Sequence, residues 1–260
     1  MDSQYRQEVA RFNKRDGIIA LCLFLVYIIT SVAYAATVNI VPAGLLRTLY
    51  MIGFCVLHIA LVCIVVLRKK QGIASIGLHK EKIWPAVRLG LLFVFILIVF
   101  KIVLPGFFIG FRDIHAGLFY SFIITLFFAI HEDIVFVGFI QTRLYGLFKT
   151  DVLAIFIGAL FFALMHLPPW IVTGRLDVLN LPLLCLSMFN WMGMYIIFVS
   201  VFKKYYSLVP VMIIHFVSNY SSEFAFVNDF YNSTAIAIML VIAGFLLWHT
   251  HIRSKKALKK

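Results

Sequence analysis

Charged residues are scarce in this sequence. Only 13% of the 260 residues are Asp, Glu, Lys or Arg, and 63% are hydrophobic, whereas a typical soluble domain is about half apolar and about one quarter charged. This deficit excludes an ordinary soluble domain and predicts an integral membrane protein. The net charge of +12 does not indicate a nucleic-acid partner. The basic residues flank apolar runs, where they orient a protein in the lipid bilayer.

Cysteine is also scarce, and no soluble domain interrupts the apolar pattern. The four cysteines lie inside apolar runs without CxxC spacing, which is typical of small buried residues rather than of disulfides or metal ligands. The sequence shows no internal repeat or low-complexity tract, and its loops are short. We therefore expect residues 1–260 to form a single transmembrane domain of the all-α class.

Long apolar runs are what the sequence has in abundance. A membrane-spanning helix needs about 20 mostly apolar residues. Eight runs come close to or exceed this length: 17–40, 48–67, 83–104, 114–139, 152–170, 178–202, 207–224 and 231–249. The sequence therefore predicts a polytopic protein with about eight transmembrane helices.

The distribution of Lys and Arg predicts how these helices are oriented. Alternate loops, counted from the N-terminal tail, contain 18 of the 23 basic residues, and the intervening loops contain three. By the positive-inside rule, both termini are expected in the cytoplasm. The remaining two, Arg88 and Lys101, fall near opposite ends of the third run, where long side chains can snorkel to the interface.

The first apolar run resembles a signal peptide in part. Basic residues precede it, and Ala33-Tyr34-Ala35 has the pattern of a cleavage site. The run continues beyond that site through residues 38–41, which is longer than a typical signal core. We therefore expect an uncleaved first helix.

Polar groups in three of the runs point to function. An ionisable group at the centre of a span costs about 2.5–3.5 kcal/mol on insertion scales, so such groups usually mark a site. The fourth run contains two adjacent acids, the fifth a histidine before two prolines, and the seventh a histidine and an asparagine four residues apart. In that order, the residues are Glu132, Asp133, His166, His215 and Asn219.

The three segments together resemble the signature of the CPBP family, the intramembrane CAAX-processing and bacteriocin-processing proteases, also called the abortive-infection family. Its members carry Glu-Glu-x-x-x-Arg, Phe-x-x-x-His and His-x-x-x-Asn boxes on successive helices. The corresponding segments here are Glu132-Asp133-x-x-x-Val137, Phe162-x-x-x-His166 and His215-x-x-x-Asn219. The resemblance covers a core of about 114–222 and implies an intramembrane peptidase.

Two positions depart from the family pattern. Asp133 replaces the second glutamate, and Val137 replaces the arginine, which would lie one α-helical turn after the second acid and could pair with it. Without that arginine, we expect Asp133 either to be protonated or to pair with a basic side chain from another helix, such as Arg88.

The resemblance implies hydrolysis by a water molecule that Glu132 activates, since an acid in an apolar environment is suited to act as a general base. His166 is expected to orient the water or to protonate the leaving amine. His215 and Asn219 are expected to donate hydrogen bonds to the oxyanion, a contribution of about 3–4 kcal/mol per donor. The other residues of the boxes, expected to play supporting roles, are Asp133 and Phe162.

The resemblance leaves the cofactor open. Glu132, His166 and His215 are residue types that form catalytic zinc sites with an open position. The chain has no HExxH segment, in which one helix supplies both imidazoles, and Asn is a poor zinc ligand. Metal-free catalysis is the preferred interpretation, with zinc as the alternative.

Three functions agree with these features. The first is an intramembrane endopeptidase that cleaves a peptide or protein substrate near the cytoplasmic side, in a bacterial cell membrane. The second, suggested by Val137, is a catalytically degenerate member that acts as a membrane scaffold, a regulator or a bacteriocin-immunity protein. The third is a proton-coupled transporter, which commonly uses intramembrane acids and imidazoles but for which the expected repeats are missing. The sequence does not indicate an oligomeric state.

Overall fold

The computed structural model describes residues 3–81, 83–113, 117–172, 174, 181–226 and 229–257, with side chains from residue 4 to residue 248. Within these residues the fold is all-helical, which confirms the predicted class, and the only β-type pairing is an isolated bridge between Phe111 and Ala225. The α-helices in chain order are α1 Ser3–Ala10, α2 Lys14–Thr37, α3 Leu45–Arg68, α4 Ile83–Ile98, α5 Leu104–Phe108, α6 Leu118–Glu132, α7 Gln141–Phe148, α8 Asp151–Leu164, α9 Leu167–Val172, α10 Leu181–Tyr205, α11 Val209–Tyr220 and α12 Asp229–Ala257.

Seven helical segments among the described residues are long and apolar enough to cross a membrane. They are Lys14–Thr37, Leu45–Arg68, Ile83–Phe108, Leu118–Phe148, Asp151–Val172, Leu181–Tyr205 and Asp229–Trp248. They coincide with seven of the eight predicted runs. The remaining predicted run, 207–224, is the seventh in chain order and contains α11, whose 12 residues reach only about 18 Å. A helix is therefore present there, but it is shorter than a full crossing. The orientation of the termini stays a prediction.

Two of the spans contain π-helical segments. Val99–Val103 joins α4 to α5, and Asp133–Ile140 joins α6 to α7. In a π-helix an N–H bonds to the carbonyl five residues earlier, as that of Gln141 does to Phe136. The fourth span therefore continues to Phe148 instead of ending at the predicted position 139. Positions 133 and 137 both lie in this π-helical segment, so the α-helical spacing that would allow an arginine at 137 to pair with the acid at 133 does not hold here.

Side chains donate hydrogen bonds to backbone carbonyls of the second π-helical segment. The Tyr195 hydroxyl lies 3.1 Å from the Phe136 carbonyl. The Gly138 carbonyl accepts hydrogen bonds from Thr142 Oγ1 at 2.7 Å and from Arg143 Nη1 at 3.2 Å. Because an unpaired backbone group inside a membrane costs several kcal/mol, these contacts stabilise the irregular segment that follows the two acids.

Arg143 also ties a connecting loop to the helix that carries the acids. Its guanidinium donates to the carbonyl of Ser75 at 3.1 Å, to the hydroxyl of Ser75 at 2.9 Å and to Gln71 Oε1 at 2.8 Å. It also lies over the rings of Phe12 and Phe139, at 4.2 and 4.4 Å from their centroids. Arg143 therefore fixes the position of the fourth span relative to the N-terminal segment and the loop before α4.

The remaining helices pack around the fourth span. Helix α11 packs chiefly against α4 and α6, and α10 packs between α8 and α12. The contact between α4 and α11 is close, since a Cβ atom on Gly90 would lie 3.0 Å from Cβ of Pro210. These contacts place α6, α8, α10 and α11, which carry the polar side chains, around one interior.

Candidate active site

The two acids of the fourth span and His215 of α11 form one buried cluster. Nδ1 of His215 lies 3.0 Å from Oδ1 of Asp133, within a hydrogen bond, and Nε2 lies 3.5 Å from Oε2 of Glu132. The side chains of Glu132, His215 and Asp133 are 9%, 5% and 0% exposed. The imidazole ring is therefore placed between two carboxyl groups and away from bulk solvent.

This arrangement requires a proton between His215 and Glu132. Asp133 accepts the hydrogen bond from Nδ1 when it is ionised, so the other ring nitrogen would face Glu132 with a lone pair if the imidazole were neutral. Two lone pairs repel one another. Three arrangements supply this proton: His215 is an imidazolium between two carboxylates, Glu132 is protonated, or Asp133 is protonated and donates to Nδ1 while Nε2–H of a neutral His215 donates to Glu132. The described partner of Asp133 is His215, a side chain from another helix, rather than Arg88. The protonation of Asp133 stays a prediction.

His166 lies at a break in the fifth span. Helix α8 ends at Leu164 and α9 begins at Leu167. Pro168 and Pro169 explain the break, because proline has no N–H to donate to the carbonyl four residues earlier. The break places His166 in the turn between the two helices, where its ring reaches the interior.

Two contacts orient the His166 ring. Nδ1 lies 2.7 Å from the carbonyl oxygen of Phe162, and because a carbonyl only accepts, the proton is on Nδ1. Nε2 of the neutral ring is left as an acceptor for water or substrate. The ring stacks on Trp191 with a centroid separation of 4.5 Å and an interplanar angle of 11°, and Trp191 meets Trp170 edge-on.

Phe162, a predicted supporting residue, is buried between the two imidazoles. Its ring centroid lies 5.1 Å from that of His166 and 6.0 Å from that of His215. The same ring is edge-on to Phe136 of the π-helical segment at 5.7 Å. Phe162 therefore sets the spacing between α8, α11 and the fourth span.

Two cavities meet at this cluster. The first, which we call the polar cavity, has a volume of about 180 Å³ and contains His215 in its wall; its other polar residues are Lys101, Ser187, Asn190, Ser218, Asp229 and Asn232. The second, the aromatic groove, has a volume of about 430 Å³ and contains Glu132 in its wall; its apolar residues include Tyr27, Tyr34, Met51, Phe54, Ile124 and Phe128. His166, Trp191 and Asn219 line both. The two cavities therefore adjoin at these three side chains, and one is more polar and the other more apolar.

The acids retain hydrogen-bonding capacity toward this space. Oδ2 of Asp133 is buried and has no hydrogen-bond partner among the described residues, and the buried Oε2 of Glu132 has the 3.5 Å contact with His215 but no other described partner. Buried polar atoms are usually hydrogen-bonded. Because Glu132 lines the aromatic groove, its carboxyl oxygen can accept a proton or a hydrogen bond from a molecule bound there.

The residues present do not fit a zinc ion. In the part of the chain that the structure describes, no three His, Cys, Asp or Glu side chains are grouped so as to hold a metal, and this includes the alternative set of Glu132, His166 and His215. The nitrogens of His215 instead face the two acids. We therefore derive no step that passes through a metal.

The structure brings the predicted site residues to one place, although it does not test their roles. Asn219 lies one turn after His215, is exposed, and faces both cavities. His215 differs from the expectation, because both of its nitrogens are directed at acids rather than left for an oxyanion. The histidine next to Glu132, His131, is bound elsewhere, with Nε2 at 3.1 Å from the Tyr27 hydroxyl.

Sequence reasoning missed two residues of the site. Trp191 carries no motif that would single it out. Lys101 was expected to snorkel at a helix end, and this is wrong: the span continues through a π-helical segment to Phe108, and Lys101 is 9% exposed with Nζ at 2.6 Å from the Ser218 carbonyl. A lone Lys in a long apolar run was the available signal.

The described residues form an all-helical membrane protein in which acids and imidazoles from separate helices surround internal cavities. Residues 114–221, less than half of the chain, match the family model described as type II CAAX prenyl endopeptidase Rce1-like. The match coincides with the core of about 114–222 and confirms the predicted resemblance to the CPBP family for this segment. At the level of the family, it supports an intramembrane endopeptidase. No curated protein and no solved structure matches the chain.

Proposed function

We propose that the protein is an intramembrane endopeptidase in which Glu132 activates a water molecule to cleave a peptide or protein substrate. One observation carries this proposal: the buried carboxyl of Glu132 lies 3.5 Å from His215 and lines the same groove as His166 and Asn219. A general base has to be within hydrogen-bond reach of the proton that it removes. The groove brings substrate and water to that position.

In the proposed reaction, Glu132 accepts a proton from water while the oxygen of that water forms a bond to the carbonyl carbon of the substrate. The carbonyl oxygen becomes an oxyanion. Because His215 is held between two acids, Asn219 is the residue assigned to donate a hydrogen bond to it, through its side-chain amide. A preorganised donor of this kind is worth about 3–4 kcal/mol in the transition state.

Collapse of the tetrahedral intermediate breaks the carbon–nitrogen bond. The leaving nitrogen takes a proton, either the one that Glu132 accepted or one from His166, and the products are a carboxylic acid and an amine. Asp133 fixes the ring of His215, and His215 fixes the carboxyl of Glu132. These two residues therefore position the general base and do not themselves need to touch the substrate.

The expected site of cleavage is the cytoplasmic side of a bacterial membrane. The support for this side is the basic end of α10, which precedes α11: Lys203 and Lys204 lie in the last turn of α10. His215 is six residues after the first residue of α11, or about 9 Å along the helix. If the positive-inside rule holds for this chain, the cluster lies closer to the cytoplasmic surface than to the opposite one.

The proposal is tested by incubating the purified full-length protein in detergent micelles with a library of fluorescence-quenched peptides and measuring the rate at which fluorescence increases on cleavage. Wild type is expected to cleave members of the library, and Glu132→Gln is expected to lower the rate at least about 1,000-fold, because removal of a general base and its electrostatic effect costs several kcal/mol. The matched control is Glu223→Gln, the same change at a carboxylate that accepts from Ser121 outside both cavities. Equal rates for wild type and Glu132→Gln would refute the mechanism.

A second candidate function has one observation in its favour. Val137, at the place of the family arginine, is completely buried in apolar surroundings, so this chain lacks a charge that the family site has. A degenerate member would act by binding, as a membrane scaffold, a regulator or an immunity protein. The test is complementation in a host strain from which the gene for this protein has been deleted. Equal complementation of the deletion phenotype by wild type and Glu132→Gln would support this function, and failure of the variant to complement would support catalysis. Proton-dependent uptake into liposomes would instead support the transporter.

A further inference from the structure

Lys101 is a buried cation in the interior of a membrane protein. An ammonium group inside a bilayer is costly and usually has a function. Its Nζ donates to the carbonyl of Ser218 at 2.6 Å and lies 3.3 Å from the Ser218 hydroxyl. Both partners are uncharged, and none of the ion pairs between described residues involves Lys101. Among the described residues, no acid is therefore in ion-pair contact with its positive charge.

The ammonium also retains hydrogen-bonding capacity. A lysine ammonium has three N–H donors, and the two contacts with Ser218 use at most two of them. Lys101 lines the polar cavity, so the third donor and the charge are available to a group that enters this space. Ser218 lies three residues after His215 on α11, and this places the cation about one helical turn from the acid–imidazole cluster.

The charges and hydrogen-bond donors that line the polar cavity indicate which chemical group of a ligand it would bind. Among its described lining residues, Lys101 is the only Lys or Arg, and its polar neighbours include the amides of Asn190 and Asn232. One ammonium with amide donors suits a singly charged carboxylate, whereas a doubly charged phosphate usually needs an Arg or more than one cation. Asp229 is exposed in the wall of the same cavity and disfavours a multiply charged ligand further.

The two cavities give this group a place relative to the reacting bond. Glu132 lines only the aromatic groove and Lys101 only the polar cavity, while His166, Trp191 and Asn219 line both. A substrate whose reacting bond lies beside His166 and Asn219 therefore has an apolar part on one side of the bond and a polar part on the other.

We propose that Lys101 forms a carboxylate-binding subsite in the polar cavity, which recognises a carboxylate of the peptide on the side of the reacting bond away from the aromatic groove. The carboxylate is either the C-terminal group of the peptide or the side chain of an Asp or Glu in it. This subsite deepens the proposed function and rests on it for the meaning of the reacting bond, although binding can be measured without turnover.

The test uses three dansyl-labelled peptides and the full-length Glu132→Gln protein in detergent micelles. This variant is used because its low expected activity prevents turnover from consuming the peptides. The probes are dansyl-Leu-Leu-Ala with a free carboxylate, the same peptide as its C-terminal amide, and dansyl-Leu-Leu-Glu amide, whose only carboxylate is in a side chain. Fluorescence anisotropy gives Kd for each. The free acid is expected to bind at least about tenfold more tightly than its amide, which corresponds to about 1.4 kcal/mol. Tight binding of the glutamyl amide instead would assign the subsite to a side-chain carboxylate.

Two variants attribute the preference to the cavity. Lys101→Met keeps the length of the side chain and removes its charge, so the preference for the carboxylate should fall to within about twofold while the amide binds as before. Asp229→Asn removes the negative charge in the wall and should tighten binding of the free acid about two- to fivefold without affecting the amide, by the Coulombic argument that screened charges at this range are worth about 1 kcal/mol or less.

Several results would overturn the subsite. One is that the free acid, the glutamyl amide and the uncharged amide bind the Glu132→Gln protein with equal affinity. Another is that the preference for the carboxylate peptide persists in Lys101→Met. If Lys101→Met loses affinity for the uncharged amide as well, its fold is affected, and Asp229→Asn decides: no change in the affinity for the free acid counts against the subsite. The two proposals can fail separately. If wild type cleaves no member of the peptide library but the protein binds the carboxylate peptide with a strong preference, the proposed function is refuted and the carboxylate subsite is still supported.

Discussion

Asp133 and His215 are 82 residues apart in the sequence, and Oδ1 of the acid lies 3.0 Å from Nδ1 of the imidazole. This contact joins the fourth span to α11 and determines which nitrogen of His215 faces Glu132. The family box has a glutamate at the position of Asp133 and an arginine at the position of Val137. In the present chain the acid is an aspartate, and it pairs with a histidine of α11.

The contact predicts the effect of changes at Asp133. Asp133→Asn keeps the shape of the side chain but removes the charge and permits the wrong orientation of the ring, so kcat is expected to fall about 100-fold or more, as for other acids that orient a catalytic histidine. Asp133→Glu restores the acid of the family and is expected to retain most of the activity. Steady-state kinetics with a cleaved peptide measure both. Full activity of Asp133→Asn would show that the contact has no part in the reaction.

Trp191 is expected to support His166 by stacking. Aromatic stacking is worth about 0.5–1.5 kcal/mol beyond the burial of area, so Trp191→Ala should lower kcat/KM by about tenfold, and Trp191→Phe by less. The matched control is Trp248→Ala, since Trp248 is 60% exposed on the last span. If the two alanine variants have the same kcat/KM, Trp191 does not orient His166.

Gly158 of α8 is expected to be essential for the packing of the π-helical segment. A Cβ atom there would lie 2.5 Å from the hydroxyl of Tyr195 and 2.6 Å from Oε1 of Gln141, which are themselves 2.9 Å apart. Gly158→Ala should therefore lower the free energy of unfolding by about 1–3 kcal/mol, the usual cost of overpacking. Thermal unfolding in detergent micelles measures this as a lower Tm.

Gly244→Ala in α12 is the control for that change, because a Cβ atom at Gly244 meets nothing within 4 Å. Alanine favours a helix over glycine by about 1 kcal/mol, so this variant should be as stable as wild type or more stable. A Tm that is equally unchanged in both variants would contradict the close packing of α8 against Tyr195.

Arg143→Lys should destabilise the protein although it keeps the charge. Lysine lacks the planar group that contacts Ser75 and Gln71 together and lies over Phe12 and Phe139. We expect a loss of about 2–4 kcal/mol in the free energy of unfolding, since several buried donors and acceptors lose their partners. Denaturant titration monitored by circular dichroism gives the value, and Arg15→Lys, at an exposed residue, should have no effect. Equal stability of the two variants would refute the role of Arg143.

Seven spans could be predicted from the sequence because long apolar runs mark them, whereas the run 207–224 contains only the short helix α11. The choice of Glu132, His166, His215 and Asn219 was also accessible, since polar groups are rare in such runs and their boxes resemble those of a family. The π-helical segments could not be predicted, because side chains remote in sequence, such as that of Tyr195, stabilise them.

The environment of Lys101 was misjudged for the same reason. The end of its helix was placed at residue 104, and the π-helical segment extends the span to Phe108. The contact of His215 with two acids depends on how α11 is rotated against the fourth span, which sequence spacing within one helix does not specify. Pairings between helices therefore mark the limit of the sequence-based interpretation.

The shortness of α11 has a consequence for how the protein deforms its membrane. Its 12 residues cover about 18 Å, whereas the hydrocarbon core of a bilayer is about 30 Å thick. We expect the bilayer to thin beside this helix, or headgroups and water to reach inward, so as to match its length. We expect this indentation to form over the end of α11 that carries Asn219, so that the reacting water enters from the membrane surface without a separate channel.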